Sequence, residues 1–314
     1  MIEIPNINLG LRSEAERPMG DLLRELLLGA GGEVINESGD YRLFKLEDEK
    51  QITSDWNETS ACTNFAALNQ IEIFLNAAYG IKTNWSDAYN AKTSRTVPGA
   101  GNWASASLTA PLNHGLLSEI EWPSDIDKGV GYFYRDITDK DLDNGRQWNE
   151  VWDYEWGWVA RIDVASRQML KEALKISPIG ISIPSGSREI DGVWHTDKTE
   201  YGHRVALLHV YDDGRLEIQD HYPHIYTRTL ASDFPVGWPT YVNLKKIMKQ
   251  TVYAGNEYYY VNEDGSYVHI ANAGTYNKGI TDKLWEDWSR SEPATVDEIA
   301  QGGISGEISF LIGD

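Results

Sequence analysis

A single cysteine in 314 residues, Cys62, constrains this chain more than any other feature. With one thiol no internal disulfide can form, so the fold must rest on the hydrophobic core that a chain of this length can bury. Such cysteine usage fits a reducing compartment and leaves the thiol available for chemistry. Cys62 also opens the clearest helical pattern. From it Phe65, Leu68, Ile71, Phe74 and Leu75 recur every three or four positions, until Tyr79-Gly80 closes the run. A thiol at a helix N-terminus faces the positive end of the helix dipole, which favours the thiolate.

The remaining pattern points to an α+β chain. Leu22, Leu23, Leu26 and Leu27 predict a short helix over Met19 to Leu28. Asn84 to Gly157 mixes turn residues with aromatics without a sustained period and reads as loops and short helices. Ala165 to Ile176 reads as a helix. Pro178 to Ile183, Gly202 to Tyr211, Leu216 to Asp220 and Thr240 to Leu244 read as strands of a mostly antiparallel sheet. Tyr258 to Val261 and Tyr267 to Ile270 flank a turn and predict a hairpin, followed by a short helix around Lys283 to Ser289. The expected organisation is an N-terminal extension over 1–50, a main domain over 51–250 and a small module over 251–314.

A formal net charge of −20, from 48 acidic against 28 basic residues, repels phosphate backbones and anionic membranes, so neither is the expected partner. Met1-Ile2-Glu3-Ile4-Pro5 lacks the start of a signal peptide, and no apolar run is long enough to span a membrane. The expectation is a cytoplasmic or virion-associated protein. His195, His209, His221 and His224 come without the Cys pairs or His-Glu-x-x-His spacing of a zinc site. Asp139, Asp141, Asp143 and Glu150 approach a calcium loop, but Asn144 occupies its glycine position and a solvated acidic loop is the better reading. No metal and no cofactor are expected.

A cysteine nucleophile needs an imidazole beside it and a carboxylate or amide to hold the other ring nitrogen. His203 opens one predicted strand and Asp220 ends the next. The turn Asp212-Asp213-Gly214 makes the two strands antiparallel, so their side chains can meet across the ladder.

At this point the chain resembles a family. Ser60-Ala61-Cys62-Thr63-Asn64-Phe65-Ala66 is similar to the nucleophile helix of papain-like cysteine peptidases, Gly202-His203-Arg204-Val205-Ala206-Leu207 to their histidine strand, and Gln219-Asp220-His221-Tyr222 to their Asn-Ser-Trp segment. His203 follows Cys62 by 141 residues, inside the roughly 130 to 150 of that family. The resemblance covers about Asp55 to Leu244. It implies a two-lobed fold, a helical lobe plus an antiparallel β-sheet lobe, with Cys62, His203 and Asp220 hydrolysing a protein or peptide substrate in the groove between them. Gly202 and Tyr222 would border that cleft.

Some positions depart from the family. Thr63 stands for its Trp, Asp220 for its Asn, and Tyr222 for the shielding indole. The family's oxyanion glutamine falls on Trp56, so Asn57 is the substitute donor and the Trp56 indole its rival. Tyr258 to Ile308 resembles a small module that follows papain-like domains in some bacterial and phage-like proteins, which implies attachment to a larger assembly. Two alternatives stay open: a papain-fold protein kept for binding or structure, and acyl transfer by the same nucleophile, as in transglutaminases or amidases.

Overall fold

The structure is a computed structural model. It describes residues 34–160 and 164–247, and the backbone of strands at 3–4, 249–254, 257–261, 267–270, 285–286 and 304–308. The helix expected over Met19 to Leu28 lies outside the described residues. Two compact units are present, Met1–Asn149 with Tyr154–Leu244, and Glu150–Asp153 with Lys245–Asp314.

Helix α1 (Cys62–Tyr79) ends where Gly80 takes a left-handed φ of 68° and returns its N–H to the Asn76 carbonyl. Every residue from Cys62 to Asn76 is buried, more than an amphipathic surface helix allows. The cause is that α1 serves two cores. Ile73 packs with Ile179, Ile181, Val205 and Leu207 of the sheet, whereas Ala61 and Phe65 pack with Tyr89, Leu117, Trp122 and Phe133. A helix shared in this way sits where two lobes meet, with its first residue at their junction.

The middle section holds α2 (Asp87–Thr93), α3 (Ala104–His114), α4 (Val130–Phe133) and α5 (Asp139–Arg146). The acidic run expected as a solvated loop is therefore a helix. Thr138 and Asp141 form a reciprocal capping box, which places Asp139 and Asp141 in the first turn where the dipole favours them. Helix α6 (Arg167–Ile176) starts at the Ser166 cap.

The sheet has nine strands: β1 (Glu3–Ile4), β2 (Trp152–Trp158), β3 (Ile179–Pro184), β4 (Ser187–Ile190), β5 (Val193–His195), β6 (Tyr201–Val210), β7 (Leu216–Gln219), β8 (Thr227–Leu230) and β9 (Gly237–Lys246). Their order is β1-β4-β5-β8-β7-β6-β3-β9-β2. The described ladders are antiparallel except for β5 with β8. Strand β3 is buried at every position and lies under α1. The approach is closest at Gly180, where a Cβ would come within 2.3 Å of Gln70 Nε2; glycine lets the helix rest on the strand.

A second sheet has five strands, β10 (Lys249–Ala254), β11 (Glu257–Val261), β12 (Tyr267–Ile270), β13 (Trp285–Glu286) and β14 (Ile304–Ile308), in the order β13-β10-β11-β12-β14. The expected hairpin is β11 with β12. The helix expected around Lys283 to Ser289 is not formed at 285–286, where the backbone pairs in parallel with β10. Among the described residues no helix is long and apolar enough to cross a membrane.

Candidate active site

Cys62 is the first residue of α1 and is wholly buried. Strand β6 lies beside it, and the backbone N–H of Arg204 stabilises the Cys62 sulfur. Burial pushes the thiol well above its ordinary range, and the charges of Glu58 and Asp220 add to this, while the Arg204 N–H and guanidinium oppose it. The helix end alone favours a thiolate. In this closed conformation desolvation works against it.

His203 lies on β6 opposite Ile183 of β3 and is 1% exposed. Its Nε2 is 2.7 Å from Asp220 Oδ1, and its buried Nδ1 has no hydrogen bond. With Nε2 engaged by the carboxylate, Nδ1 is the nitrogen left for a thiol proton. Asp220 follows β7, so the β6–β7 ladder brings the pair together.

Asp220 is also held from its other side. Arg228, buried on β8, donates to Asp220 Oδ2, and the His221 backbone N–H donates to Oδ1 at 2.7 Å. Burial works to raise the Asp220 pKa, but Arg228 and then His203 outweigh it and hold the carboxyl far below the usual range. The Asp–Arg pair thus carries little net charge and orients the imidazole much as a neutral amide would. His203, Asp220 and His221 have ligand atoms within 4.8 Å of one another, yet a cation there would face the Arg228 guanidinium, which makes the trio unsuited to a metal.

Three further groups close around the site. The Tyr222 ring stands 5.6 Å from the His203 ring at 63°, and its hydroxyl donates to Glu58 Oε2 at 2.6 Å. Glu58 also accepts from Gln51 Nε2 and from the Ser60 N–H. Burial raises its pKa, opposed by these hydrogen bonds and by His203. Tyr134 donates to the Thr59 carbonyl at 2.7 Å, and its hydroxyl interacts electrostatically with Glu58 and Cys62.

The two proposed oxyanion donors lie elsewhere. Trp56 is 72% exposed with φ 61°, on a turn where its N–H bonds to Thr53. Asn57 is exposed on the same turn, with its N–H on Thr53 Oγ1. It is Glu58, one residue on, that turns inward. Gly202 is half-buried on β6 next to His203. Sequence reasoning missed Glu58, Arg228 and Tyr134. Of these only Arg228 leaves a mark in the sequence, a basic residue in the short β-like run Thr227-Arg228-Thr229-Leu230.

A helix that opens on a cysteine, laid against an antiparallel sheet that supplies a His–Asp pair from two neighbouring strands, is the papain-like fold. Solved structures of the same fold include xylellain, a cysteine protease from Xylella fastidiosa, with TM-score 0.54, 13% identity, and 77% of this chain and 98% of that chain covered. Digestive procathepsin L 3 of the Tenebrio molitor larval midgut matches with TM-score 0.53 and 12% identity over 76% of each chain. No family model and no curated protein matches the sequence. The likeness is one of fold.

Proposed function

We propose that this chain is a cysteine peptidase acting on a protein or peptide substrate. The observation that carries the reading is the buried His203–Asp220 pair, whose free imidazole nitrogen belongs to the residue adjacent to the N–H that meets the Cys62 sulfur. In the forward step the Cys62 proton passes to His203 Nδ1 and the sulfur attacks the substrate carbonyl carbon. His203 then gives that proton to the departing amine as the C–N bond breaks. Water, deprotonated by His203, cleaves the thioester and restores the thiol. Substrate must first open the site, since Cys62 and His203 are both buried.

The test is labelling of the full chain with an epoxide or iodoacetamide across pH, alongside cleavage of an unfolded protein substrate. Rapid labelling of Cys62 near neutral pH that His203→Ala slows, with kcat/KM lost by about 10³-fold or more in Cys62→Ser, supports the reading. Labelling like an ordinary thiol near pKa 8.5 in both proteins sinks it. A second reading, a papain-fold binding or structural component of a larger, phage-like assembly, draws on the complete burial of Cys62 and on the Glu58 charge, which disfavours its thiolate. Under that reading His203→Ala leaves the labelling rate unchanged.

A further inference from the structure

Past the middle of α1, where Glu72 lies about 15 Å along the axis from Cys62 by helix rise, four carboxylates gather. Glu72 of α1 is buried, Asp87 of α2 is 1% exposed, and Glu49 and Glu119 are half-buried. One ligand oxygen from each of Glu49, Asp87 and Glu119 lies within 4.8 Å of the others. Among the described residues no lysine or arginine forms an ion pair with any of the four. Arg135 interacts electrostatically with Glu119, but its guanidinium is laid over the rings of Trp122 and Tyr132, at 4.1 and 4.3 Å.

The independent observation is that no N–H or hydroxyl donor reaches either oxygen of Asp87, although the side chain is buried; what it faces is the Glu49 carboxyl, a contact two carboxylates can keep only with a proton or a cation between them. Glu119 Oε1 and Asn84 Oδ1 are likewise buried without a donor. By contrast Glu72 is satisfied, accepting from the Trp85 N–H at 2.8 Å and from Asn69. A buried carboxylate with no donor needs a proton or a cation beside it, because desolvation of the bare charge costs several kcal/mol.

We propose that Glu49, Asp87 and Glu119 bind a calcium ion. All donors are oxygens, as a hard cation requires, and calcium–oxygen distances of about 2.3–2.6 Å allow two ligands of one ion to stand up to about 5 Å apart. Magnesium, at about 2.0–2.1 Å, demands a tighter octahedron. Burial first, and then mutual repulsion, push the Asp87 carboxyl up, and Glu49 is pushed up to about 7; an ion at the centre removes that repulsion. The inference is independent of any peptidase activity.

The experiment uses the full chain near neutral pH after chelation. Terbium luminescence excited through Trp85 should saturate at one ion per chain and be displaced by calcium but not by equal magnesium. Calcium at about 1 mM should raise the Tm by several degrees over chelator. Asp87→Asn and Glu119→Gln should each weaken calcium by about 10- to 100-fold while melting in chelator no lower than wild type, because each relieves repulsion. Equal Tm in calcium and chelator with no stoichiometric terbium overturns the proposal. So does magnesium binding as well as calcium, or both variants melting below wild type in chelator, which would mark the carboxyls as protonated hydrogen-bond partners.

Discussion

Glu58 decides how the sulfur's surroundings are charged. As a free acid it can donate a hydrogen bond toward a developing oxyanion. Ionised, it sets a second negative charge against a thiolate and disfavours it. Its pKa is raised chiefly by burial, so the neutral form persists above the ordinary carboxylate range and is lost as pH rises. On the peptidase reading, wild-type kcat/KM should fall as pH rises through the raised Glu58 pKa. Glu58→Gln keeps a neutral donor at every pH and should gain about 10-fold or more above the pH at which Glu58 ionises, with little change below it. Parallel pH–rate profiles of the two proteins check this, and identical profiles would remove Glu58 from the mechanism. No local signal in the sequence points to it. Its inward turn depends on positive φ at Trp56 and Ser60, neither of them a glycine.

At the level of elements, β8 acts through one side chain. Without Arg228 the Asp220 carboxylate is buried with an unbalanced charge, so Arg228→Met should cost about 3–5 kcal/mol in denaturant unfolding. The double variant with Asp220→Asn should recover much of that loss, and a fully additive double variant would mean the two side chains are not coupled. Strand β8 also illustrates what the sequence conceals. Helices α1 and α6 and strands β3, β6 and β9 are legible because their apolar patterns are long, and the short β7 because Leu216 and Ile218 alternate with polar residues directly after the Asp212-Asp213-Gly214 turn. Strands β4, β5 and β8 are short, and Ser187-Arg188-Glu189-Ile190, Val193-Trp194-His195 and Thr227-Arg228-Thr229-Leu230 carry charges or polar groups where a strand pattern calls for apolar residues. Strand β2 reads as loop in the sequence because Asp153, Glu155 and Gly157 interrupt its aromatics. Its alternation of Trp152, Tyr154, Trp156 and Trp158 is nevertheless a strand period. The candidate Cys, His and Asp could be named from spacing, whereas Arg228 balances a charge through tertiary contact alone.

For the molecule as a whole, acid should be an enemy of stability through His221. Burial holds this ring neutral, with its pKa pushed down to about 3 from 6.5, against the pull of Asp220, and its Nε2 pairs with Asn69 Oδ1 at 2.8 Å. Between those two values the unfolded chain binds a proton that the folded chain refuses, so stability drops as pH falls, by about 1.4 kcal/mol per pH unit for that proton. Asp220, kept ionised when folded, adds to the same trend below its ordinary 3.8. Carboxyls with raised pKa, such as Glu58 and Glu119, pull the other way. The difference between wild type and His221→Gln isolates the histidine: unfolding free energies should converge as pH is lowered from 6.5 toward 3, and a constant gap would contradict the assignment.

The Asp220–Arg228 pair also sets an order in time. On a ribosome Cys62 and its helix emerge first, His203 follows 141 residues later, and Arg228 comes 25 residues after that, the last of these four charged or reactive groups. Until β8 docks, Asp220 cannot be buried without a large electrostatic penalty, and His203 has no fixed partner. A growing or interrupted chain therefore carries its thiol without the paired imidazole beside it, and the site is assembled only once β8 has been made.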